Sequence, residues 1–277
     1  MRSGVSDGGP VRVLVFGAHP DDAEVYAAGL LIRHCRQGNQ VKIISVTDGR
    51  SGHHNMEPET LVRLRRDEAQ RAARRIGAEV DVWEFPDGGL EPSLQVRAAI
   101  IAEIRRFAPD LVLTHRTNDY HPDHRAVGTA VQDASYLVTV PLVCPEVPAL
   151  RRDPVVATMC DLFTRPNPQR PDVLLDISDE FDVAMQMSAC HASQFFEWLA
   201  WHDGILDTVP ESPEARLEWL AGWFGQLHQQ RREHFQAALV SRGMKLDEPT
   251  PIEVYEVSEY AGKADAQRML QLFPGMR

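Results

Sequence analysis

Basic residues are in short supply. The chain sets 29 Lys and Arg against 40 Asp and Glu, a formal net charge of −11. That field repels a polyanion, so nucleic acid is not an expected partner unless a local basic patch overcomes it. Long apolar runs are missing too, and none approaches the roughly 18 residues of a membrane span. Met1–Pro10 is polar and Gly-rich and lacks the apolar centre of a secretory leader. Cys35, Cys144, Cys160 and Cys190 are widely scattered, with no close-spaced pair of the zinc-knot or redox kind. Free thiols in a reduced, cytoplasmic setting are therefore the expectation. No Gly-x-Gly-x-x-Gly turn follows the first strand, which argues against a non-enzymatic nucleotide-binding module.

What the chain does have is a hydrophobic fraction of 43% in 277 residues, enough for a large core. The expected organisation is one domain over 1–277, with a motif-bearing core at 11–136 and a C-terminal elaboration at 137–277 packed on it. Apolar, β-branched runs at Val11–Phe16, Gln40–Thr47, Val80–Phe85 and Leu111–Thr114 predict strands. Between them lie predicted helices at Ala23–Gln37, Glu57–Ile76 and Ser93–Phe107, with a further one from His124 to Tyr136. This alternation implies a doubly wound α/β fold, a mostly parallel sheet with helices on both faces. The proline-dense segment 140–171 predicts an irregular connection with one strand, Val155–Phe163. Beyond it a strand at Val173–Ile177 and helices at Ser178–Trp201 and Ser212–Gly243 are expected. Ser212 is the expected N-cap of the last, with Pro213 in its first turn.

Chemistry concentrates in two short stretches. Gly17-Ala-His-Pro-Asp-Asp22, with Glu24 close behind, follows the first predicted strand. His121-Pro-Asp-His124 lies in the loop after the fourth. Sites in this architecture form beyond the carboxyl ends of the strands, where both stretches fall. Neutral imidazole and carboxylate are good zinc ligands, and three of them leave a position for water. Bound zinc brings that water's pKa toward ~7, and a nearby carboxylate can take its proton. One such segment alone reads equally as a turn whose Asp caps a helix; two make coincidence a poor explanation. Spacing alone leaves open which polar groups touch the metal.

The chain resembles the PIG-L family, the LmbE-like N-acetylglucosaminyl deacetylases. The motifs that carry this are Ala18-His-Pro-Asp-Asp22, Thr47-Asp-Gly-Arg-Ser-Gly52, Arg65-x-x-Glu68, Pro86-Asp-Gly-Gly-Leu90 and His121-Pro-Asp-His124, in the family's order. The resemblance implies His19, Asp22 and His124 as zinc ligands, with ferrous iron an alternative for the same donors. It implies Asp21 as general base and His121 as the imidazolium that stabilises the oxyanion and protonates the amine. Asp123 would hydrogen-bond His121 and raise its pKa. It further implies Arg65 as a contact to substrate hydroxyls or phosphate, against the plain reading of an exposed charge paired with Glu68. Cys190-His-Ala-Ser-Gln194 is similar to a segment of longer relatives and makes His191 a substrate contact or a structural helix histidine. Ala28-Gly29 stands where many relatives have two glycines.

The implied reaction is removal of an acetyl or other acyl group from an N-acylated amine. An N-acetylglucosamine-containing small molecule or conjugate is the expected substrate, and a non-sugar amide of a natural product or lipid is the alternative. Phe195, Phe196, Trp198 and Trp201 read as core, as an oligomer contact or as a sugar-stacking platform, and a homo-oligomer is compatible with the sequence. His53 and His54 read as a solvated loop.

Overall fold

The computed structural model describes residues 9–245 and 249–277; most of Met1–Pro10 lies outside them. The strands are β1 (Arg12–Gly17), β2 (Gln40–Thr47), β3 (Glu79–Phe85), β4 (Leu111–Thr114), β5 (Val155–Thr158), β6 (Val173–Asp176) and β7 (Ile252–Val257). The helices of the first half are α1 (Asp22–Tyr26), α2 (Ala28–Arg36), α3 (Pro58–Arg74), α4 (Leu94–Phe107) and α5 (Pro122–Ala134). The second half adds α6 (Phe181–Ser188), a π-helical turn (Ser193–Trp198), α7 (Leu199–His202), α8 (Pro213–His234), α9 (Gln236–Ser241) and α10 (Ala266–Leu272). No helix among the described residues is long and apolar enough to cross a membrane.

The seven strands form one sheet in the order β3-β2-β1-β4-β5-β7-β6. The first five are parallel, and β7 runs antiparallel to both β5 and β6. Alternate side chains of β1 face opposite sides, as the pleat requires. Val13 and Val15 pack in one cluster with Leu30 and Leu31 of α2. Leu14 and Phe16 pack in another with Ile100 and Ile104 of α4 and Val127 and Val131 of α5. Both faces of the central strands are thus covered, which is why β1 from Val13 and β4 are buried along their length, whereas β3 at the sheet edge is not.

Four expectations about elements need correction. The first helix is two, broken at Ala27, whose φ of −143° and ψ of 5° are neither helical nor extended. Glu253 on β7 reaches back to accept the Gly29 and Leu30 amides at 2.6 and 3.0 Å, so the restart of α2 is capped from 224 residues away. A Cβ on Gly29 would lie 2.3 Å from Ile177 Cγ2, so this position needs glycine. Next, β5 stops at Thr158, where the chain turns into a loop pinned by Gln169 and Arg116. The helix expected over Ser178–Trp201 is interrupted, because the Ser193 amide and hydroxyl both donate to Glu68, at 2.9 and 2.6 Å. Lastly, β7 and α10 were not anticipated. The Ser212 cap is present, accepting from Ala215 N at 3.2 Å, but α8 ends at His234 and α9 follows it.

Segment 137–147 has almost no regular structure of its own. It is organised by one buried side chain, Arg105 of α4, whose guanidinium donates to the carbonyls of Leu137, Val138, Val140, Val143, Cys144 and Val147.

Candidate metal centre and active site

The sheet changes direction between β1 and β4. From β1 the chain winds outward through β2 to β3, and from β4 it winds the other way to β5. Phe16 pairs with Thr114, so the loops that follow the two strands leave the sheet side by side. This is the crevice in which open α/β sheets bind ligands. The first loop is tied down where the Thr47 amide and hydroxyl donate to Ala18 O, at 2.8 and 2.7 Å. The second lies against α5 because Gly128 has no side chain: a Cβ there would stand 2.5 Å from His115 O and 2.7 Å from Arg116 O.

The two loops bring His19, Asp22 and His124 together. His124 Nε2 lies 3.2 Å from His19 Nδ1 and 3.4 Å from Asp22 Oδ1, and His19 Nδ1 lies 3.7 Å from Asp22 Oδ2. Four ligands around zinc at bonds of about 2.1 Å would stand roughly 3.4 Å apart, and each of these separations is near that value, the two from Asp22 running to different carboxylate oxygens. The outer nitrogens of both imidazoles face carboxylates. His124 Nδ1 is 3.1 Å from Asp119 Oδ1; His19 Nε2 is 3.2 Å from Asp87 Oδ1 and 3.5 Å from Asp123 Oδ2. Carboxylates behind ligating histidines are the usual support of such a centre.

Other donors crowd the same spot: Asp22, His115 and His124 form one overlapping set, and His19, His121 and His124 another. Their chemistry differs. His115 Nε2 sits 3.1 Å from the Ala18 amide and 3.0 Å from Asp22 Oδ2, so its inward nitrogen is already engaged. His121 spends Nδ1 as the N-cap of α5, accepting from the Asp123 amide at 3.2 Å. Its neutral form therefore carries the proton on Nε2 and is a donor there.

The field at this point favours positive charge. Burial opposes protonation of His19, but Asp123, Asp87 and Asp22 outweigh it and lift the imidazole to about 10. His124 rises to about 9 against the same burial, through Asp22 and Asp119. Asp22 is held below the ordinary carboxylate range by His124 and His115 despite its burial. A divalent cation answers such a field without bringing protons.

Asp21 stands next to this triangle in a backbone conformation unusual for any residue but glycine, φ 151°. Burial, and then the Asp22 charge, push its carboxyl up to about 6. Arg65 and His191 act on it in the opposite sense. Strained backbone and a carboxyl titrating near neutrality are both common at catalytic positions. Arg65 is not an exposed helix charge but 2% exposed, donating to Gly52 O at 2.6 Å and to Gln194 Oε1. The Gly49–Gly52 loop wraps it so closely that a Cβ on Gly52 would lie 2.9 Å from Nη2. Glu68, its expected partner, is taken by Ser193.

One expected role is corrected. The Asp123 carboxylate does not bond the His121 ring, which meets only the Asp123 amide. That carboxylate accepts from the Gly88 and Leu90 amides at 2.6 and 3.1 Å, because the 86–90 turn presents both to it. Burial, His19 and His124 accordingly hold the His121 imidazolium below its ordinary pKa instead of raising it. His191, read as a substrate contact or a structural helix histidine, is buried with Nε2 3.4 Å from Glu24 Oε2. The residues that sequence reasoning left without a role are Asp87, His115, Asp119 and Gln194. Asp87 had a signal in the Pro86-Asp-Gly-Gly turn, and His115 and Asp119 in their place after a strand.

Fold and side chains together define a doubly wound α/β protein with a histidine–carboxylate cluster at its switch point. The chain matches the model of the PIG-L family, described as GlcNAc-PI de-N-acetylase, over residues 14–135. It is 27% identical over 198 residues to diacetylchitobiose deacetylase of Thermococcus kodakarensis, covering 69% of this chain and 73% of that one. It is 26% identical over 197 residues to 4-oxalmesaconate hydratase of Pseudomonas putida, covering 67% and 74%. Among solved structures, N,N'-diacetylchitobiose deacetylase of Pyrococcus horikoshii has the same fold, with a TM-score of 0.69 and 19% identity over 89% of this chain and 83% of that one.

Proposed function

We propose that this protein is a metal-dependent hydrolase that removes the acetyl group from an N-acetylated amino sugar or a conjugate of one. The observation that carries the reading is the His19, Asp22 and His124 triangle beside the buried carboxyl of Asp21. Similarity to a diacetylchitobiose deacetylase supports the substrate class. Zinc suits the two imidazoles and one carboxylate; ferrous iron accepts the same donors. A bound divalent ion supplies a Lewis acid that acidifies water and polarises the acyl carbonyl.

The chain's own groups do the rest. Asp21 takes a proton from the attacking water on a carboxylate oxygen and returns it to the amide nitrogen as the C–N bond breaks, so water and amide become acetate and free amine. Arg65, fixed by Gly52 and Gln194, and His191, held by Glu24, set the charge around Asp21. His121, with Nδ1 committed to the Asp123 amide, offers Nε2–H to the oxygen that gains negative charge, and does so in its neutral form. Asp123 and Asp87 hold the His19 ring from behind.

The test is hydrolysis of N-acetylglucosamine and N,N'-diacetylchitobiose in oxygen-labelled water. One solvent oxygen should enter the acetate and none the amine product. Trapping an acyl-enzyme, or release of no amine from any N-acyl compound, defeats the reading. Similarity to the hydratase gives the second reading, addition of water to a carbon–carbon double bond. It predicts label in an intact organic acid and no acetate. A non-sugar amide as the only substrate would keep the chemistry and change the substrate class.

A further inference from the structure

The break after α1 leaves the last carbonyls of that helix without helical partners, and the second half of the chain supplies them. Arg231 of α8 donates Nη2–H to Val25 O at 3.0 Å, and the Tyr255 hydroxyl on β7 lies 3.5 Å from Tyr26 O. Arg231 is only 1% exposed and makes no ion pair among the described residues. A guanidinium buried without a carboxylate is costly unless another electron-rich group faces it. The group that faces it is the Tyr26 ring, whose centroid lies 5.6 Å from the guanidinium carbon.

Tyr26 carries this contact to the metal donors. It stands four residues after Asp22, on the same face of α1. His115 and His124 stack on each other at 3.9 Å and 17°. The Tyr26 ring lies across both, 5.7 Å from His115 at 88° and 6.2 Å from His124 at 86°, ordinary edge-to-face geometry. The same two histidines reach Asp22: His115 Nε2 is 3.0 Å from Oδ2 and His124 Nε2 is 3.4 Å from Oδ1. Asp119 meets His124 at one atom, Nδ1, and a contact at one atom leaves the ring free to tilt about it. Contacts across the ring remove that tilt. The Tyr26 hydroxyl makes no hydrogen bond among the described residues, so the ring is what this side chain contributes.

We propose that Tyr26, braced by Arg231, is a positioning residue for the metal donors, fixing the planes of His115 and His124 so that His124 and Asp22 stay aimed at one point before an ion arrives. Donors held in place beforehand lose less freedom on binding and hold the ion more tightly. This rests on the reading of His19, Asp22 and His124 as metal ligands and deepens it. Metal affinity then depends on α8, a helix of the second half that supplies no ligand. Neither Tyr26 nor Arg231 donates to the ion.

The experiment titrates the metal-free, full-length protein with zinc in competition with a chromogenic chelator. Wild type is compared with Tyr26→Phe, Tyr26→Leu, Arg231→Met and Arg105→Met, and the Tm of each metal-free protein is recorded. Tyr26→Leu keeps an apolar side chain without the ring and should bind zinc about ten-fold more weakly, the scale of a lost support behind a ligating histidine. Tyr26→Phe should stay within about two-fold of wild type, and Arg231→Met should lose about three- to ten-fold. Arg105→Met acts on segment 137–147 and not on the donors, so it should lower Tm and leave the affinity unchanged. Affinity within about two-fold of wild type in Tyr26→Leu or in Arg231→Met overturns the proposal. So does Tyr26→Phe binding as weakly as Tyr26→Leu, or Arg105→Met losing as much. If Tyr26→Leu does not fold, Arg231→Met decides by the same criterion. A wild type that takes up no zinc defeats the ligand reading itself, and the brace falls with it.

Discussion

Replacing Asp21 by Asn should make the metal-stripped protein more stable while removing its activity. The carboxyl is pushed up to about 6 in the fold from its ordinary 3.8, chiefly because it is buried and secondarily because Asp22 is charged beside it. Its folded pKa is raised, so its contribution to stability is intact below the unfolded value and is lost as pH rises toward 6. At pH 7 the folded protein carries a charge that the unfolded chain solvates better. The difference of about two pKa units corresponds to roughly 3 kcal/mol. Asn carries no such charge, and it tolerates the positive φ of this position better than most residues. The gap between variant and wild type should therefore be near zero at pH 4 and grow to about 3 kcal/mol at pH 7. For a chain of this size that is on the order of 6–10 °C in Tm.

The assay is thermal unfolding of both proteins after chelation, from pH 4 to pH 8, alongside turnover of the metal-loaded forms. Turnover of Asp21→Asn should fall on the order of 100-fold or more, the usual scale for loss of a general base, with metal content unchanged. A gap that does not widen with pH refutes the account of Asp21 as a buried, poorly solvated charge. Near wild-type turnover moves the base elsewhere, with Glu24 the next carboxylate along α1.

Two further substitutions separate metal binding from architecture. His124→Ala removes one corner of the donor triangle, so metal per chain, measured by elemental analysis, should drop well below that of wild type; full occupancy would refute the ligand set. Arg105→Met strands six carbonyls around segment 137–147, and with an unmade buried hydrogen bond costing about 1–3 kcal/mol, a net loss of roughly 3–5 kcal/mol is expected. That should lower Tm by about 10 °C and expose the segment to limited proteolysis, whereas a shift below 2 °C would show that the segment holds itself.

The first half of the fold was legible because its signals are local. β1, β2 and β4 are short apolar runs buried on both faces, and the Ser93 cap of α4 accepts from Val96 N as its position predicts. The meeting of His19, Asp22 and His124 was legible because they sit in two short motifs after adjacent strands. The second half was not, since its determinants act over long separations. Nothing near Ala27 announces that Glu253 will cap the next helix. Nothing in the proline-dense stretch announces that Arg105 will gather its carbonyls. The π-helical turn looks like ordinary helix until Glu68, 125 residues earlier, draws Ser193 out of the ladder.

That turn also explains how one half of the chain can set the other half's chemistry. The segment His191–Gln194 makes three separate contacts with the first half: His191 with Glu24 of α1, Ser193 with Glu68 of α3, and Gln194 with Arg65 of α3. Each partner is buried: Glu24 is two residues from Asp22, Arg65 itself acts on Asp21, and Glu68 lies one helical turn from Arg65. Burying these charges would be costly if they were left alone, so the second half has to deliver its polar groups to within hydrogen-bonding range for the site to exist. The helix that makes those deliveries continues directly into Trp198 and Trp201. A shift of this segment therefore moves the stacked rings of Trp198 and Trp201 and the charges around Asp21 together, which ties the packing of the second half to the alignment of the proposed base.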